Sequence, residues 1–307
     1  MQTRSHPSPV AFLFRAVALA CLACAVGRAQ AAPPGVQAAP PDLLSAQIQR
    51  FADYLDGHAS TDASFVQVKQ GCRPLLVMAQ QAIADGRRLA AAYRLAQVSG
   101  SMAGIVKQLG YEQPDQASLE AAWREVGADL GADATAAACR SIRPAALRAL
   151  AEAAAPQVHG YHAASLDYGR ATMPEAGLFY LGAALGSRDL VALLHDLREP
   201  TKGSEPELRT IAAEIDDLEH EMLMAYRPPL SLDRHGEFVA AHGALQEAKD
   251  LDASGMRHGA LLRYLQAAIL DPRRPDRSPG PGRVLGHLVS TVSLHPGLAR
   301  GAEAHAR

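Results

Sequence analysis

Apolar side chains return along this chain every three to four positions and nowhere in sustained alternation, the period that gathers them on one face of an α-helix. Leu44, Ile48, Phe51 and Leu55 make the first stripe, with Asp42 placed to cap it and Gly57 to stop it. The next apolar stretch runs from Leu75 to Val98. Pro74 suits its first turn, and Gly86 kinks or divides it. Met102 to Leu109 reads as a short helix ended by Gly110. Another comes after it, with Leu119, Ala122, Trp123, Val126 and Leu130 on one side. The stretches 134–141 and 144–155 continue the pattern.

Residues 157–177, QVHGYHAASLDYGRATMPEAG, mix Gly, Ser, Asp and Pro with Tyr and His, and are expected to form a long connection or a short helix between loops. Helical signal resumes at Pro174 and lasts until REPTKGSEP interrupts it. Ile211, Ile215, Leu218, Met222 and Tyr226 then form a stripe stopped by Pro228 and Pro229, and two further helices are expected at about 233–251 and 254–270. Short connections between helices favour antiparallel neighbours. The expected fold is therefore all-α, with antiparallel helical hairpins packed as a bundle or irregular solenoid. Its parts are an N-terminal sub-bundle at 42–156, a central connection at 157–177 and C-terminal hairpins at 178–271. A Pro/Gly/Arg-rich tail at 272–307, expected to be disordered, carries a last apolar patch from Val284 to Leu294.

The first residues change the compartment. Arg4 and Arg15 supply positive charge, AVALACLACAV is an apolar run, and Ala29-Gln30-Ala31 offers a cleavage site, so residues 1–31 read as an export signal and 32–41 as a Pro/Ala linker. The run is shorter than the roughly 20 residues a bilayer span needs. Lipid attachment at Cys21 or Cys24 lacks the large aliphatic side chain preferred three positions earlier. Cleavage near Ala31 would place the mature protein in the periplasm or outside the cell.

Export also reshapes the charge. Of 30 basic and 32 acidic residues the signal removes only Arg4, Arg15 and Arg28, leaving an acidic chain without the basic field that nucleic acid requires. Two cysteines remain, Cys72 and Cys139. In an oxidising compartment they are expected to pair, closing a loop worth on the order of 4 kcal/mol; the alternative is two buried thiols. Neither lies in a C-x-x-C motif.

Ala260, Tyr264, Ala267 and Pro272 occupy the places of small residue, aromatic, small residue and terminating proline found in the second helix of tetratricopeptide repeats, which this stretch resembles; Gly255 suits the preceding turn. In the helix before it, Ala244 and Glu247 depart from the pattern. Leu178, Leu181, Gly182 and Leu185 resemble the first-helix signature, with leucine for both aromatics. No constant 34-residue period joins the two matches. The resemblance implies a scaffold that presents a concave face to peptides or proteins, and it implies no catalysis.

Candidate chemistry is sparse. His159, His162 and Asp167 supply two imidazoles and a carboxylate for zinc, but no third firm ligand lies nearby, and loop histidines are commonly hydrogen-bonded or exposed. His220-Glu221 is followed by Met224 where H-E-x-x-H needs histidine, so Asp217, His220 and Glu221 read as a solvated face. His235 and His242 fit capping and surface roles. No G-x-S-x-G or phosphate-binding glycine motif occurs; Ser165, Asp167 and His162 merely share one stretch. Tyr161, Tyr168, Arg170 and Met173 are candidates for a partner-binding groove, since aromatics and arginine anchor interfaces. Alternatively Tyr168 and Met173 cap the core. The expected function is an exported, soluble helical scaffold or adaptor that binds a protein or peptide in a bacterial-type cell envelope, without catalysis, cofactor or metal. The alternative is an envelope hydrolase with a site assembled around 157–177.

Overall fold

The computed structural model describes residues 42–127, 130, 132–197, 208–226 and 234–271. The expected signal, linker and tail, with Pro272 of the repeat signature, lie outside the described residues. Those described form ten α-helices and no strand: α1 (Leu43–Gly57), α2 (Ala63–Ala84), α3 (Arg88–Leu109), α4 (Gln116–Val126), α5 (Ala132–Cys139), α6 (Ala145–Arg170), α7 (Pro174–Asp196), α8 (Ala212–Ala225), α9 (His235–Ala253) and α10 (Arg257–Leu270). The protein is all-α, packed as a bundle.

Local chemistry sets many of the boundaries. Asp42, Asp62 and Asp115 each accept a backbone N–H three residues on, at 2.8, 3.0 and 2.7 Å, and so cap α1, α2 and α4. Gly86, at φ +72°, takes the left-handed turn that separates α2 from α3. Pro74 lies inside α2 rather than in its first turn. Phe65, Val68 and Cys72 extend the buried stripe of Leu75, Leu76 and Ala79 back to the cap at Asp62, and this burial outweighs the one backbone bond that proline cannot make. The expected short helix at 102–109 is the second half of α3.

The largest departure is the expected central connection. Residues 157–170 continue α6, and only 171–173 connect it to α7. The residues that read as loop are small because neighbours press on them: a Cβ on Gly169 would lie 2.2 Å from the Trp123 ring. Trp123 Nε1–H donates to Ser165 Oγ at 2.9 Å, and the Ser165 hydroxyl donates to the carbonyl of Gly177 at 2.7 Å. One buried hydroxyl thus joins α4, α6 and α7.

The centre of the bundle is α7, packed chiefly against α6 and α3. Among the described residues it alone is long and apolar enough to cross a membrane, yet most of that stretch is buried inside the bundle. Leu190, Val191 and Leu194 of α7 share a core with α1, α2, α3 and α6. A smaller core beneath α4 includes Leu119, Val158, Leu178 and Leu181. The last core joins α8, α9 and α10 through Ile215, Met222, Ala244, Ala248 and Ala267.

Cys72 and Cys139 are free thiols, both buried in the main core. Each belongs to the packed face of a helix, and Cys139 Sγ–H donates to the carbonyl of Thr135 at 3.3 Å. Burial pushes both thiols up to about 12. At neutral pH they are small apolar side chains.

Candidate functional site: an interhelical cleft

Where α10 docks on the N-terminal body, a cleft of about 60 Å³ opens between α3, α6 and α10, room for a few waters or one small side chain. Helical spacing brings Tyr93, Gln97 and Ser101 from α3 to one wall, and Gln157 and Tyr161 from α6 to the next. Arg263 and Gln266 of α10 close it. Buried Arg263 is held from several sides. Its Nε lies 2.8 Å from Glu247 Oε2, Nη1 donates to Gln266 Oε1 at 2.9 Å, and Nη2 reaches the carbonyl of Ala153 at 3.4 Å. Gln266 in turn donates to the Tyr93 hydroxyl at 3.4 Å. The guanidinium is therefore committed to a carboxylate and two carbonyl oxygens, and the cleft is not an anion site.

Below it lies Glu152, 1% exposed. Its carboxylate accepts from Arg148 Nε at 2.6 Å and from the backbone N–H of Gly259 at 2.9 Å, with His258 Nδ1 3.9 Å away. No side chain of its own caps α10. Glu152 does so from α6, placing a negative charge at the helix N-terminus where the backbone dipole favours it. Gly259 permits the approach, since a Cβ there would lie 2.8 Å from Glu152 Cβ.

The cleft carries an unspent donor. Gln97 Oε1 accepts from Arg94 at 3.0 Å, but its Nε2 is buried with no hydrogen-bond partner. A buried amide N–H left unpaired costs roughly 1–3 kcal/mol and favours any occupant that supplies an acceptor. The Tyr161 phenol is raised above its ordinary value by burial first, then by the Glu247 and Tyr180 charges, and Tyr93 is raised chiefly by burial. Both remain neutral hydrogen-bonding groups at physiological pH.

Of the four residues expected to bind a partner, only Tyr161 lines this cleft. Tyr168 stacks on Tyr180 at 5.0 Å and 5°, a contact within the α6–α7 hairpin. Arg170 is 73% exposed and paired with Asp167 at 3.0 Å, while Met173 precedes the first turn of α7. Nine residues of helix, about 13 Å, separate Tyr161 from Arg170.

Ser165 is buried with its hydroxyl engaged by Trp123 and Gly177, and Asp167 is taken by Arg170, so neither is placed for nucleophilic catalysis with His162. Among the described residues no group of three His, Cys, Asp or Glu is placed to hold a metal ion. Asp217, His220 and Glu221 are not part of any core, His242 Nε2 lies 3.0 Å from Glu219, and His235 contacts the Tyr226 hydroxyl.

The repeat-signature residues divide between two settings. Ala260 and Ala267 are fully buried in α10, Tyr264 is half-buried beside them, and Gly255 turns the α9–α10 hairpin at φ +78°. Leu178, Leu181 and Gly182 are buried and Leu185 half-buried in α7, whose hairpin with α6, Ala145–Asp196, is far longer than the roughly 34 residues of a tetratricopeptide unit.

Gln97, Glu152, Arg263 and Gln266 of the cleft and its floor do not stand out in the sequence as candidates. A signal existed for two of them: Glu152 interrupts the alanines of AEAAAP, and Arg263 falls between Ala260 and Ala267, each a charge on a face otherwise built for burial. No protein-family model, curated protein or solved structure matches this chain.

Proposed function

We propose that this protein is an exported, non-catalytic helical scaffold that binds a protein or peptide partner in the cell envelope, and that one side chain of the partner enters the α3–α6–α10 cleft. The observation that carries the reading is the buried, unpaired Nε2 of Gln97 in a cleft walled by neutral tyrosine, serine and glutamine groups. Such a cleft suits a short polar side chain with a carbonyl or hydroxyl acceptor, and an opening between the helices of a bundle is a common place for recognition. The apolar run and A-x-A site at the N-terminus support export.

The test is selection from a random peptide library against the purified mature chain, followed by calorimetric titration of the enriched peptide. Gln97→Leu, which removes the donor at nearly constant shape, is expected to weaken binding at least tenfold. Ser101→Phe, which fills the cleft, is expected to abolish it without changing the helical spectrum. Equal affinity for wild type and both variants, or a library that yields no binder, overturns the assignment.

A further inference from the structure

In a chain whose 32 acidic residues outnumber its 30 basic ones, one hollow carries the opposite charge. Between the α1–α2 connection and the outer face of α2 lies an open groove of about 510 Å³, of the size that takes a few residues of another chain. Val66, Lys69, Gln70, Arg73 and Pro74 recur every three to four positions and form its α2 wall, while His58 and Ser60 form the other. No carboxylate lines it. The groove shares no residue with the α3–α6–α10 cleft, so the two sites stand or fall separately.

Several groups here have bonding capacity to spare. Lys107 and Lys249 each reach a carboxylate, at 3.5 and 2.8 Å, whereas partly buried Lys69 has none among the described residues and rests over the Phe65 ring, 5.7 Å from its centroid. Arg73 Nη1 is paired with Asp56 at 2.8 Å, which leaves the rest of its donor fork. Ser60 Oγ accepts from the backbone N–H of Asp62 at 3.1 Å and keeps its own proton to give. The His58 ring is held by its faces, with the Tyr54 and Phe65 centroids 5.2 and 5.1 Å away. One acceptor stands among these donors. Pro74 has no N–H, so the Gln70 carbonyl one turn earlier lacks its usual helical partner.

The combination selects among occupants. A carboxylate matches Lys69 and the remaining donors of Arg73, a backbone N–H matches the Gln70 carbonyl, and an apolar side chain matches Val66, 39% exposed on the rim, beside Pro74. A phosphate group supplies the charge but no N–H, and it would set its oxygens against that carbonyl. We propose that this groove binds an acidic segment of a partner protein in extended form, with an Asp or Glu carboxylate on Lys69 and Arg73, a backbone N–H on the Gln70 carbonyl and an adjacent apolar side chain against Val66 and Pro74.

The probes are fluorescein-labelled hexapeptides that alternate glutamate with leucine, valine or phenylalanine, each with a glutamine counterpart, titrated against the full mature chain by anisotropy at low salt. At least one glutamate peptide is expected to bind about tenfold more tightly than its counterpart, with Lys69→Glu removing the preference and Lys69→Arg keeping it. Arg188→Glu makes the same change of charge on α7 and is expected to leave the preference intact. Pro74→Ala, which supplies the missing N–H to Gln70, is expected to weaken binding about threefold. The helical spectrum and thermal unfolding of each variant verify the fold. Glutamate peptides that bind no better than glutamine ones overturn the proposal, as does a preference that survives Lys69→Glu or is lost equally in Arg188→Glu. Unchanged affinity in Pro74→Ala overturns the backbone contact, and with it the extended peptide. Sedimentation with phosphatidylglycerol vesicles that depends on Lys69, without any glutamate preference, would assign the groove to a membrane surface instead.

Discussion

Two helix contacts in this molecule are built from small residues, and they use them in opposite ways. Where α7 crosses α3, glycines remove the side chain altogether. A Cβ on Gly182 would lie 2.5 Å from the carbonyl oxygen of Ala103, and one on Gly186 would lie 2.6 Å from that of Ser99. Phe179, just before this pair, folds over Gly104 so closely that a Cβ there would meet its ring at 2.9 Å. In the α9–α10 hairpin the contact is made instead by alanines, Ala241, Ala244, Ala248 and Ala267, while Gly236 and Gly243 of α9 have nothing within 4 Å of a Cβ. Glycine at the first contact sets how near two backbones come; in α9 it only weakens the helix. The two regions then meet through polar groups, Glu152 to the N-terminus of α10 and Arg263 to Ala153, over a close approach that Gly259 permits.

That contrast can be broken most severely at the joint. Glu152→Ala leaves Arg148, His258 and the Gly259 N–H without their shared carboxylate, and is expected to cost about 3–5 kcal/mol in urea unfolding, because a buried charge network loses its central member. Next comes the crossing: Gly182→Ala is expected to cost about 3 kcal/mol by the same measurement, since the neighbour that must move is backbone.

Alkaline conditions act on the part of the molecule that holds the α3–α7 crossing. Cys72, Cys139, Tyr93, Tyr161 and Tyr180 are all raised in the folded protein, burial being the first cause of each. A raised acid favours the neutral form, so the stabilisation is complete below the unfolded values of 9.0 and 10.0 and is lost as pH climbs above them. Urea midpoints are expected to hold steady to about pH 8.5 and fall through roughly pH 9–11. Tyr161→Phe should flatten part of that fall. Thiol reagent at about pH 8 should label neither cysteine in the native protein and both after unfolding. The smallest effect has the opposite sign: Gly243→Ala, open on all sides, is expected to add about 0.5–1 kcal/mol to stability.

The course of α6 explains how much could be read in advance. Tyr161, Ser165, Tyr168 and Gly169 stand at helical spacing, yet Gly, Ser, Asp and Pro in one stretch carry the composition of a loop. The composition instead records contact: Ser165 bridges Trp123 to Gly177, and Gly169 lies under the indole. Local propensity describes what an isolated segment prefers, and here tertiary burial overrode it. The same override explains Pro74 inside α2. Tyr161 was legible as a candidate because aromatics anchor interfaces. Its companions in the cleft were not, because Gln97 and Gln266 are ordinary surface residues until three helices converge on them.

The helical period, the aspartate caps and the glycine stops are short-range properties, set by side chains within a few positions of one another, and the amino-acid order alone determined them. Which glycines bear a neighbour's backbone, which charge caps a helix more than a hundred residues away and which amide is left without a partner depend on segments distant along the chain. Those were decided only when the helices packed, because steric exclusion and the cost of an unpaired buried group exist only between surfaces that have met.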